Sequence, residues 1–471
     1  MGEFVYPPVG RVAERVRRGA RRGAVRAAAE ILPYLPEKAL CCLMRRSKAA
    51  AWERLRLRYA GCPAETEAIG DFLDCFLEMA VAAFPRLSPA CRKGIATALF
   101  ANNLVANELT KREFVREKGY DPPFLLVISP TMRCNLSCYG CYAGCYSKED
   151  DLPLSEVDRI VGEAKRELGV HFITISGGEP FIRKDVYDLF ETHRDVFFQV
   201  YTHGRLIDAE RLGRLGNVAP AISVEGFRAQ TDARRGEGHF DGIVSKMAEL
   251  RRAGVLFGFS ATATAANNEV ITSDEFIDFW SGQGCAFGWY FNYIPIGRRP
   301  DTSLMPSPEQ RVARAKRVHA IRREKRFLAA DFWNDGHLVG GCMAGGNLYM
   351  HVTCRGDVEP CVFAHFAAEN IRGKSLKEVL DGDLFTAIRA RQPYTDNLFT
   401  PCMIIDNPQV LREVVTLSGA HGTHDGAETI IGPGIGAFLD EYAAEMKRRS
   451  DPLWREFKGQ APVHRQPPQS M

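Results

Sequence analysis

Three closely spaced cysteines are the residues of this chain best suited to chemistry. They are Cys134, Cys138 and Cys141, in the run Cys-Asn-Leu-Ser-Cys-Tyr-Gly-Cys. Three thiolates on one loop can converge on a metal centre, and such soft ligands favour zinc, copper(I) or an iron–sulfur cluster. A closed zinc site needs a fourth protein ligand, for which Cys145 is at hand,. Three ligands on a four-iron cluster would instead leave one iron open, and the spacing alone leaves both alternatives.

A glycine pair marks a second candidate site, in the run Ser176-Gly177-Gly178-Glu179-Pro180. Paired glycines let a ligand approach the backbone closely because they carry no Cβ. Glu179 offers a carboxylate to an ammonium group. An ordinary strand-to-helix turn is the alternative, but the position of this run after the cysteine loop favours a binding site.

Four further cysteines lie together in the C-terminal third of the chain. A short hairpin is predicted around Arg355-Gly356-Asp357, with thiolates at its ends. Tetrahedral thiolate coordination does not distinguish structural zinc from iron–sulfur, so both remain open at this point. The four residues are Cys342, Cys354, Cys361 and Cys402.

The elements that must position these residues alternate between strand and helix from Asp121 onward. Such alternation predicts βαβ units and a parallel sheet. Six repeats predict an α/β fold and fit a partial or a full barrel whose chemistry sits at the C-terminal ends of the strands. Of these two, the fold expected is a partial (β/α)6 TIM-like barrel. Both motifs follow predicted strands directly. The predicted strands are 124–129, 171–176, 197–202, 219–224, 256–262 and 288–293.

The chain divides into four regions by pattern. Residues 1–119 are predicted to be helical, with a helix start at Ser88-Pro89 because serine caps helices and proline suits their first turn,. The other regions are a core barrel over 120–299, a connector with a small Cys-rich domain over 300–402, and a helical tail over 403–471.

Composition and charge narrow the classes of function. The chain has 471 residues, 45% of them hydrophobic and 25% charged, which is typical of a globular protein and excludes a wholly disordered one,. Residues 1–60 hold 14 Lys and Arg against 5 Asp and Glu. Apolar residues between these arginines, from Val12 to Ile31, predict an amphipathic helix, either docked on the barrel or lying on an anionic membrane. Nucleic-acid binding is disfavoured because the basic stretch carries no interleaved aromatic residues.

Fourteen cysteines without a recognisable secretory signal predict a cytoplasmic protein with metal or redox chemistry,. Contact of the basic helix with the inner membrane surface is part of the same prediction.

The C-x3-C-x2-C loop after strand one and the Gly-Gly-Glu-Pro run after strand two together resemble the radical S-adenosylmethionine superfamily, over about residues 125–298. The resemblance implies a 4Fe–4S cluster on Cys134, Cys138 and Cys141, with S-adenosylmethionine on its open iron. One electron would then cleave the cofactor to a 5′-deoxyadenosyl radical, which takes a hydrogen atom from the substrate. An electron donor such as flavodoxin or ferredoxin is implied as a partner.

The resemblance also implies a set of cofactor contacts. Glu179 and the backbone beside it would meet the methionine amine, and Arg235 would pair with the carboxylate. His203 departs from the asparagine that the family often has in this turn, and a surface turn residue is the alternative for it. The implied contacts are Gly177, Gly178, Glu179, Pro180, Ser223, Glu225, Arg235 and Tyr142.

The C-terminal cysteines resemble the SPASM or twitch extension of that superfamily. This implies one auxiliary 4Fe–4S cluster on Cys342, Cys354, Cys361 and Cys402, with Cys354 the least typical ligand. No dense run of three cysteines follows Cys361, so two complete auxiliary clusters are not expected. The implied substrate is a peptide or protein, or else a lipid. The alternative function is a structural or nucleic-acid-binding protein that holds zinc with the same cysteines.

Overall fold

A computed structural model describes Ile31, residues 63–143 and residues 147–459. The predicted basic helix from Val12 to Ile31 therefore lies almost wholly outside the described residues, as does Cys145. Among the helices that are described, none combines the length and the apolar character needed to cross a membrane.

Seven parallel strands form the centre of the fold and pair in chain order. The predicted α/β class is confirmed, and the six predicted strands occur with ends that shift by at most two residues. The seventh strand was not predicted: it lies in the region assigned as a connector, and its alanines give little strand signal. The strands are β1 (Leu126–Ile128), β2 (Phe172–Ile175), β3 (Phe197–Thr202), β4 (Val218–Val224), β5 (Gly258–Ala263), β6 (Phe287–Asn292) and β7 (Leu328–Asp331).

Helices follow most of the strands and cover the outside of the sheet, as right-handed βαβ crossovers require. Side-chain caps fix several of their starts: Ser273 accepts a hydrogen bond from the Phe276 amide, for example,. The helices are α1 (Pro63–Ala83), α2 (Pro89–Gly94), α3 (Glu108–Lys118), α4 (Leu154–Glu163), α5 (Val186–Thr192), α6 (Ala209–Leu215), α7 (Arg228–Arg235), α8 (His239–Arg252), α9 (Asp274–Gln283), α10 (Pro308–Ala320), α11 (Gly336–Val339), α12 (Leu376–Leu380), α13 (Asp383–Arg389), α14 (Pro408–Ser418) and α15 (Ile435–Phe457).

The first three helices pack on the outer side of the barrel. The predicted start at Ser88 is confirmed, since its hydroxyl accepts from the Cys91 amide at 3.0 Å. Gly94 lies against the backbone of Gly216, where a Cβ would come within 2.2 Å of a carbonyl oxygen. Helix α1 packs on β7. This N-terminal region therefore closes the side of the sheet away from the cysteine loop.

The C-terminal extension adds three strands to the same sheet and forms a separate two-stranded sheet. Its strands are β8 (His351–Val352), β9 (Asp357–Glu359), β10 (Phe366–Ala367), β11 (Glu369–Asn370) and β12 (His421–Gly422). Of these, β8, β9 and β11 join the large sheet, while β10 and β12 pair with each other. Strand β8 pairs parallel with β1, and β8 and β9 form the predicted hairpin around Gly356. The attachment of this hairpin to β1 was not predicted, and it brings the extension next to the cysteine loop.

Two large apolar cores lie among the described residues. The larger one lies between the sheet and helices α4 to α9. The smaller one joins the end of β6 to the C-terminal helices, with Tyr293, Trp333 and Leu411 among its buried members, and it includes Cys361. The cysteine-rich extension is thus anchored to the barrel by apolar packing.

Candidate active site

A cavity at the C-terminal edge of the sheet contains the three closely spaced cysteines. Including its open mouth, it encloses about 1360 Å³. Polar residues at the ends of successive strands form its floor, as expected for a barrel. The C-terminal extension supplies Met343, Tyr349, Val362 and Phe363 to its wall. Of the predicted site residues, those lining it are Cys134, Cys138, Cys141, Tyr142, Gly177, Gly178, Ser223 and Arg235.

Neighbouring backbone leaves no room for a side chain at Gly177 or Gly178. A Cβ on Gly177 would lie 2.1 Å from the carbonyl oxygen of Thr131, and one on Gly178 would lie 2.3 Å from that of Arg133. The amide of Gly178 also donates to Thr131 at 3.1 Å. A close approach to the glycine pair is therefore made by the loop segment that leads from β1 into Cys134.

Glu179 lies behind the cavity wall and is not among the residues that line the cavity. Its carboxylate is fully buried and accepts hydrogen bonds from the Thr202 hydroxyl at 2.8 Å and the His203 amide at 2.9 Å. It also caps the short turn after it by accepting from the Phe181 amide. Burial raises the pKa of this carboxyl to about 7. In the described structure Glu179 therefore fastens the glycine turn to the end of β3. Pro180, in the same turn, is not among the cavity-lining residues.

Glu225 is also placed behind the wall, where two arginines surround it. Arg235 donates two hydrogen bonds to one carboxylate oxygen, at 2.9 and 2.6 Å. Arg234 donates to the other oxygen at 2.6 Å. The side chain of Glu225 is 1% exposed. Because it is buried, its negative charge is balanced by the two guanidinium groups rather than by water.

Arg234 is a site residue that the sequence analysis missed. Its guanidinium also donates to the backbone carbonyls of Tyr139 at 3.1 Å and Gly140 at 3.3 Å. Helix α7 is thereby tied to the loop between Cys138 and Cys141. A basic pair at residues 234–235 was visible in the sequence, but nothing in it showed which arginine faces the loop.

His203 is buried at the cavity, so the surface-turn alternative is wrong. Its ring contacts the Asn135 side chain at 2.8 Å, within the loop that carries the cysteines. Burial lowers the pKa of His203 to about 3, so the ring is neutral and its contact with Glu179 is not an ion pair,.

The three N-terminal thiols suit a cluster with one open corner. They share one cavity, yet among the described residues no three potential ligands converge closely enough for a single metal ion. A four-iron cube is larger than one ion and accepts thiolates that are further apart. Burial raises the pKa of Cys138, and the nearby Arg235 opposes that rise. The arginine would therefore help to keep this thiolate deprotonated.

Three of the four C-terminal cysteines form a second group. Cys361 is buried in the smaller core, and Cys342 and Cys402 pack against that core. Burial and the neighbouring Cys361 raise the pKa of the Cys342 thiol to about 12. Burial, Asp406 and Cys342 also raise the pKa of Cys402. Thiols that raise one another's pKa in this way lie close together, which suits a shared metal group.

Cys354 does not join the other three. It is buried beside Met132 and Ala143, and Cys141 and Tyr142 pack against it. It follows β8, whose pairing with β1 carries it toward the first cysteine loop. The prediction of four cysteines around one auxiliary centre is therefore corrected to three, with Cys354 beside the other site.

Comparison with known families agrees with these two donor groups. The family model described as "Radical SAM superfamily" matches residues 128–265. A second, described as "Iron-sulfur cluster-binding domain", matches residues 342–403. The first range contains the N-terminal cysteines, and the second contains the C-terminal group. These matches favour iron–sulfur over the zinc alternative.

Individual relatives extend the comparison. Mycofactocin maturase MftC of Mycobacterium tuberculosis is 30% identical over 273 residues, covering 54% of this chain and 69% of the relative. The AdoMet-dependent heme synthase of Methanosarcina barkeri is 25% identical over 300 residues, covering 57% of this chain and 85% of that protein.

A solved structure of Streptococcus suis SuiB bound to the precursor peptide SuiA has the same fold. Its TM-score is 0.52 at 20% identity, over 62% of this chain and 74% of SuiB. A second SuiB structure, bound to S-adenosylmethionine, has a TM-score of 0.52 at 19% identity, over 71% and 87% of the two chains.

Proposed function

This chain belongs to the radical S-adenosylmethionine superfamily, and from that premise we propose that it modifies a precursor peptide with the help of an auxiliary cluster. It is an enzyme that binds S-adenosylmethionine and iron–sulfur clusters. When bound, the cofactor supplies a 5′-deoxyadenosyl radical that takes one hydrogen atom from the substrate. The work of the protein is to hold both molecules, exclude water and aim one C–H bond.

Individual residues receive roles in this proposal. Cys134, Cys138 and Cys141 would hold the first cluster. Backbone groups of the Gly177-Gly178 turn, with Tyr142 and Ser223, would bind the cofactor. Arg234 and Arg235 are the charged side chains among the described residues that line the cavity, and Arg235 retains the proposed role of carboxylate partner,.

Glu179 and Glu225 act indirectly in the same proposal. Glu179 would hold the glycine turn and His203 in place, and Glu225 would orient the arginine pair. Both carboxylates are positioning groups, because neither lines the cavity.

The auxiliary centre would be held by Cys342, Cys361 and Cys402. None of these three thiols lines the cavity, but Met343 and Val362, the neighbours of Cys342 and Cys361 in the sequence, do. The auxiliary centre would therefore lie behind the part of the wall that the C-terminal extension supplies. A four-iron cluster with three cysteines would again have one iron without a cysteine ligand.

A peptide is preferred to a lipid as the substrate. The maturase relative and the peptide-bound fold relative support this choice. The observation that carries it is the cavity itself, whose wall combines the cysteine loop with Tyr349 and Phe363 of the extension. A flavodoxin or ferredoxin donor, a cytoplasmic location and membrane contact through residues 1–60 stay predictions.

The test uses the full-length enzyme reconstituted anaerobically with iron and sulfide. Short peptides encoded beside its gene are supplied with S-adenosylmethionine and dithionite, and peptide mass and 5′-deoxyadenosine are measured. One peptide is expected to change mass as 5′-deoxyadenosine accumulates. The variant lacking Cys134, Cys138 and Cys141 should neither modify the peptide nor form 5′-deoxyadenosine. If a lipid extract or a tetrapyrrole stimulates 5′-deoxyadenosine formation while every peptide stays unmodified, the peptide assignment is wrong.

A further inference from the structure

Tyr349 contacts both the cavity and the auxiliary cysteine group. Its side chain lines the cavity, and its hydroxyl lies 3.0 Å from the Cys361 sulfur. The backbone around it is fixed, because its amide donates to the Met343 carbonyl at 3.0 Å and its own carbonyl accepts from Gly346 at 3.0 Å. The phenol is therefore held where a substrate and a cluster ligand could meet.

The apolar surroundings of the Tyr349 hydroxyl strengthen the electrostatic effect of its hydrogen bond to the Cys361 sulfur. Tyr349 packs against the smaller apolar core, which includes Cys361 and borders Cys342 and Cys402. In such low-dielectric surroundings one hydrogen bond to a thiolate has a larger electrostatic effect than in water. Hydrogen bonds to the sulfurs of an iron–sulfur cluster are among the factors that set its reduction potential. A donor stabilises the more negative, reduced cluster and so raises the potential.

We propose that Tyr349 is a positioning residue that raises the reduction potential of the auxiliary cluster through its hydrogen bond to Cys361. The inference rests on the proposed role of Cys361 as a cluster ligand. It assigns Tyr349 no part in breaking or forming a bond. The reduction potential of the auxiliary centre would thus be set in part by a residue that also lines the cavity.

Tyr394 provides a matched control within the same core. Its hydroxyl lies 3.7 Å from the Met403 sulfur and accepts from the Gln392 amide at 3.2 Å. All three auxiliary thiols influence its hydroxyl, as they do that of Tyr349. Yet Tyr394 does not line the cavity, and its hydroxyl is hydrogen-bonded to Gln392 and Met403 rather than to a cysteine. Tyr394→Phe therefore removes a similar buried hydroxyl without removing a bond to a cluster ligand.

The experiment measures the potential of the auxiliary cluster alone. Full-length protein carrying Cys134→Ala, Cys138→Ala and Cys141→Ala is reconstituted with iron and sulfide, with and without Tyr349→Phe or Tyr394→Phe. Redox titration followed by electron paramagnetic resonance gives each midpoint potential, and iron per chain is measured in parallel. The expected result is a lower midpoint potential for Tyr349→Phe, no shift for Tyr394→Phe, and equal iron in all three proteins.

Two results would overturn the inference for different reasons. The specific role of Tyr349 is wrong if the midpoint potential of the Tyr349→Phe variant equals that of its parent, or if both tyrosine variants shift the potential equally. In either case Cys342, Cys361 and Cys402 would still be assigned as the ligands of the auxiliary cluster. A parent that retains no iron would overturn the assignment of Cys361 as a ligand and the inference with it.

Discussion

The hydroxyl of Tyr142 donates a hydrogen bond of 2.9 Å to the carbonyl oxygen of Gly177. The tyrosine follows Cys141 directly, so this bond joins the cysteine loop to the glycine turn across the cavity. The Ser176 hydroxyl lies 3.1 Å from the same phenol. The two motifs that the sequence placed on separate strands are thus joined by one side chain.

Tyr142→Phe is expected to weaken binding of S-adenosylmethionine while leaving the first cluster in place. Loss of one hydrogen bond costs about 0.5–1.5 kcal/mol, which corresponds to a roughly 2- to 10-fold higher Kd. Calorimetric titration of the reconstituted protein measures this. Tyr139→Phe is the control, since that exposed hydroxyl bonds to Asp301 away from the turn. Unchanged affinity in the Tyr142 variant would contradict the coupling.

Arg234→Met is expected to loosen the cysteine loop. It removes the hydrogen bonds to the Tyr139 and Gly140 carbonyls, while Arg235 still pairs with Glu225. The rate of iron loss to a chelator measures the effect and should rise several-fold. Arg228→Met on the same helix is the control, because Arg228 pairs with the exposed Asp241. Equal rates in both variants would show that Arg234 does not hold the loop.

Iron analysis of three cysteine variants tests the separation of the two donor groups. Replacing Cys134, Cys138 and Cys141 with alanine should remove about half of the iron, and replacing Cys342, Cys361 and Cys402 should remove the other half. Cys354→Ala should retain both clusters, because this thiol is buried apart from the C-terminal group. Loss of auxiliary iron in the Cys354 variant would restore it as a ligand and contradict the placement described above.

The sequence was sufficient for the parts of the site that depend on local spacing. Cys134, Cys138 and Cys141 lie on one loop, and the alternation of strand and helix brings Ser176 and Ser223 to the same edge of a parallel sheet. Contacts between distant segments could not be read in this way. The pairing of β8 with β1, which carries Cys354 away from Cys361, depends on tertiary packing.

The sequence also did not predict the direction in which each side chain points. Glu179 and Glu225 occupy motif positions, yet both turn away from the cavity toward donors on neighbouring segments, Thr202 for one and Arg234 for the other. Strand β7 was missed because its burial comes from β6 and α1 rather than from an alternating pattern of its own.

Arg311→Met is expected to destabilise the fold by about 3–5 kcal/mol, because it leaves the buried Asp406 without its charge partner. Both side chains of this pair are fully buried. The double variant Arg311→Met with Asp406→Leu should recover much of the loss, since an apolar pair avoids the unpaired charge. Urea unfolding measures these differences. Arg412→Met, which breaks an exposed pair with Asp440, should cost no more than about 1 kcal/mol,. A similar loss in all three variants would contradict the argument.

The stability of the cluster-free protein is expected to fall on acidification, and His365 makes one contribution that can be isolated. Its ring is 5% exposed and donates to the Val362 carbonyl at 2.9 Å. Burial lowers the pKa of His365 to about 4, although the neighbouring Glu359 opposes this. Because the unfolded chain takes up the proton first, this stability is present above pH 6.5 and is lost as the pH falls toward 4.

His365→Gln keeps a donor of similar reach but does not titrate, so it should reduce the loss of unfolding free energy between pH 7 and pH 5 by about 2 kcal/mol. Urea unfolding of the cluster-free protein at both pH values measures this. His203 and His239, whose pKa values burial lowers to about 3 and about 4, should leave part of the acid sensitivity in the variant. His421→Gln, at an exposed position on β12, is the matched control for the substitution itself. A pH dependence in His365→Gln equal to that of the unmodified chain would mean that the pKa of His365 is the same in the folded and unfolded states, which would contradict its lowering by burial.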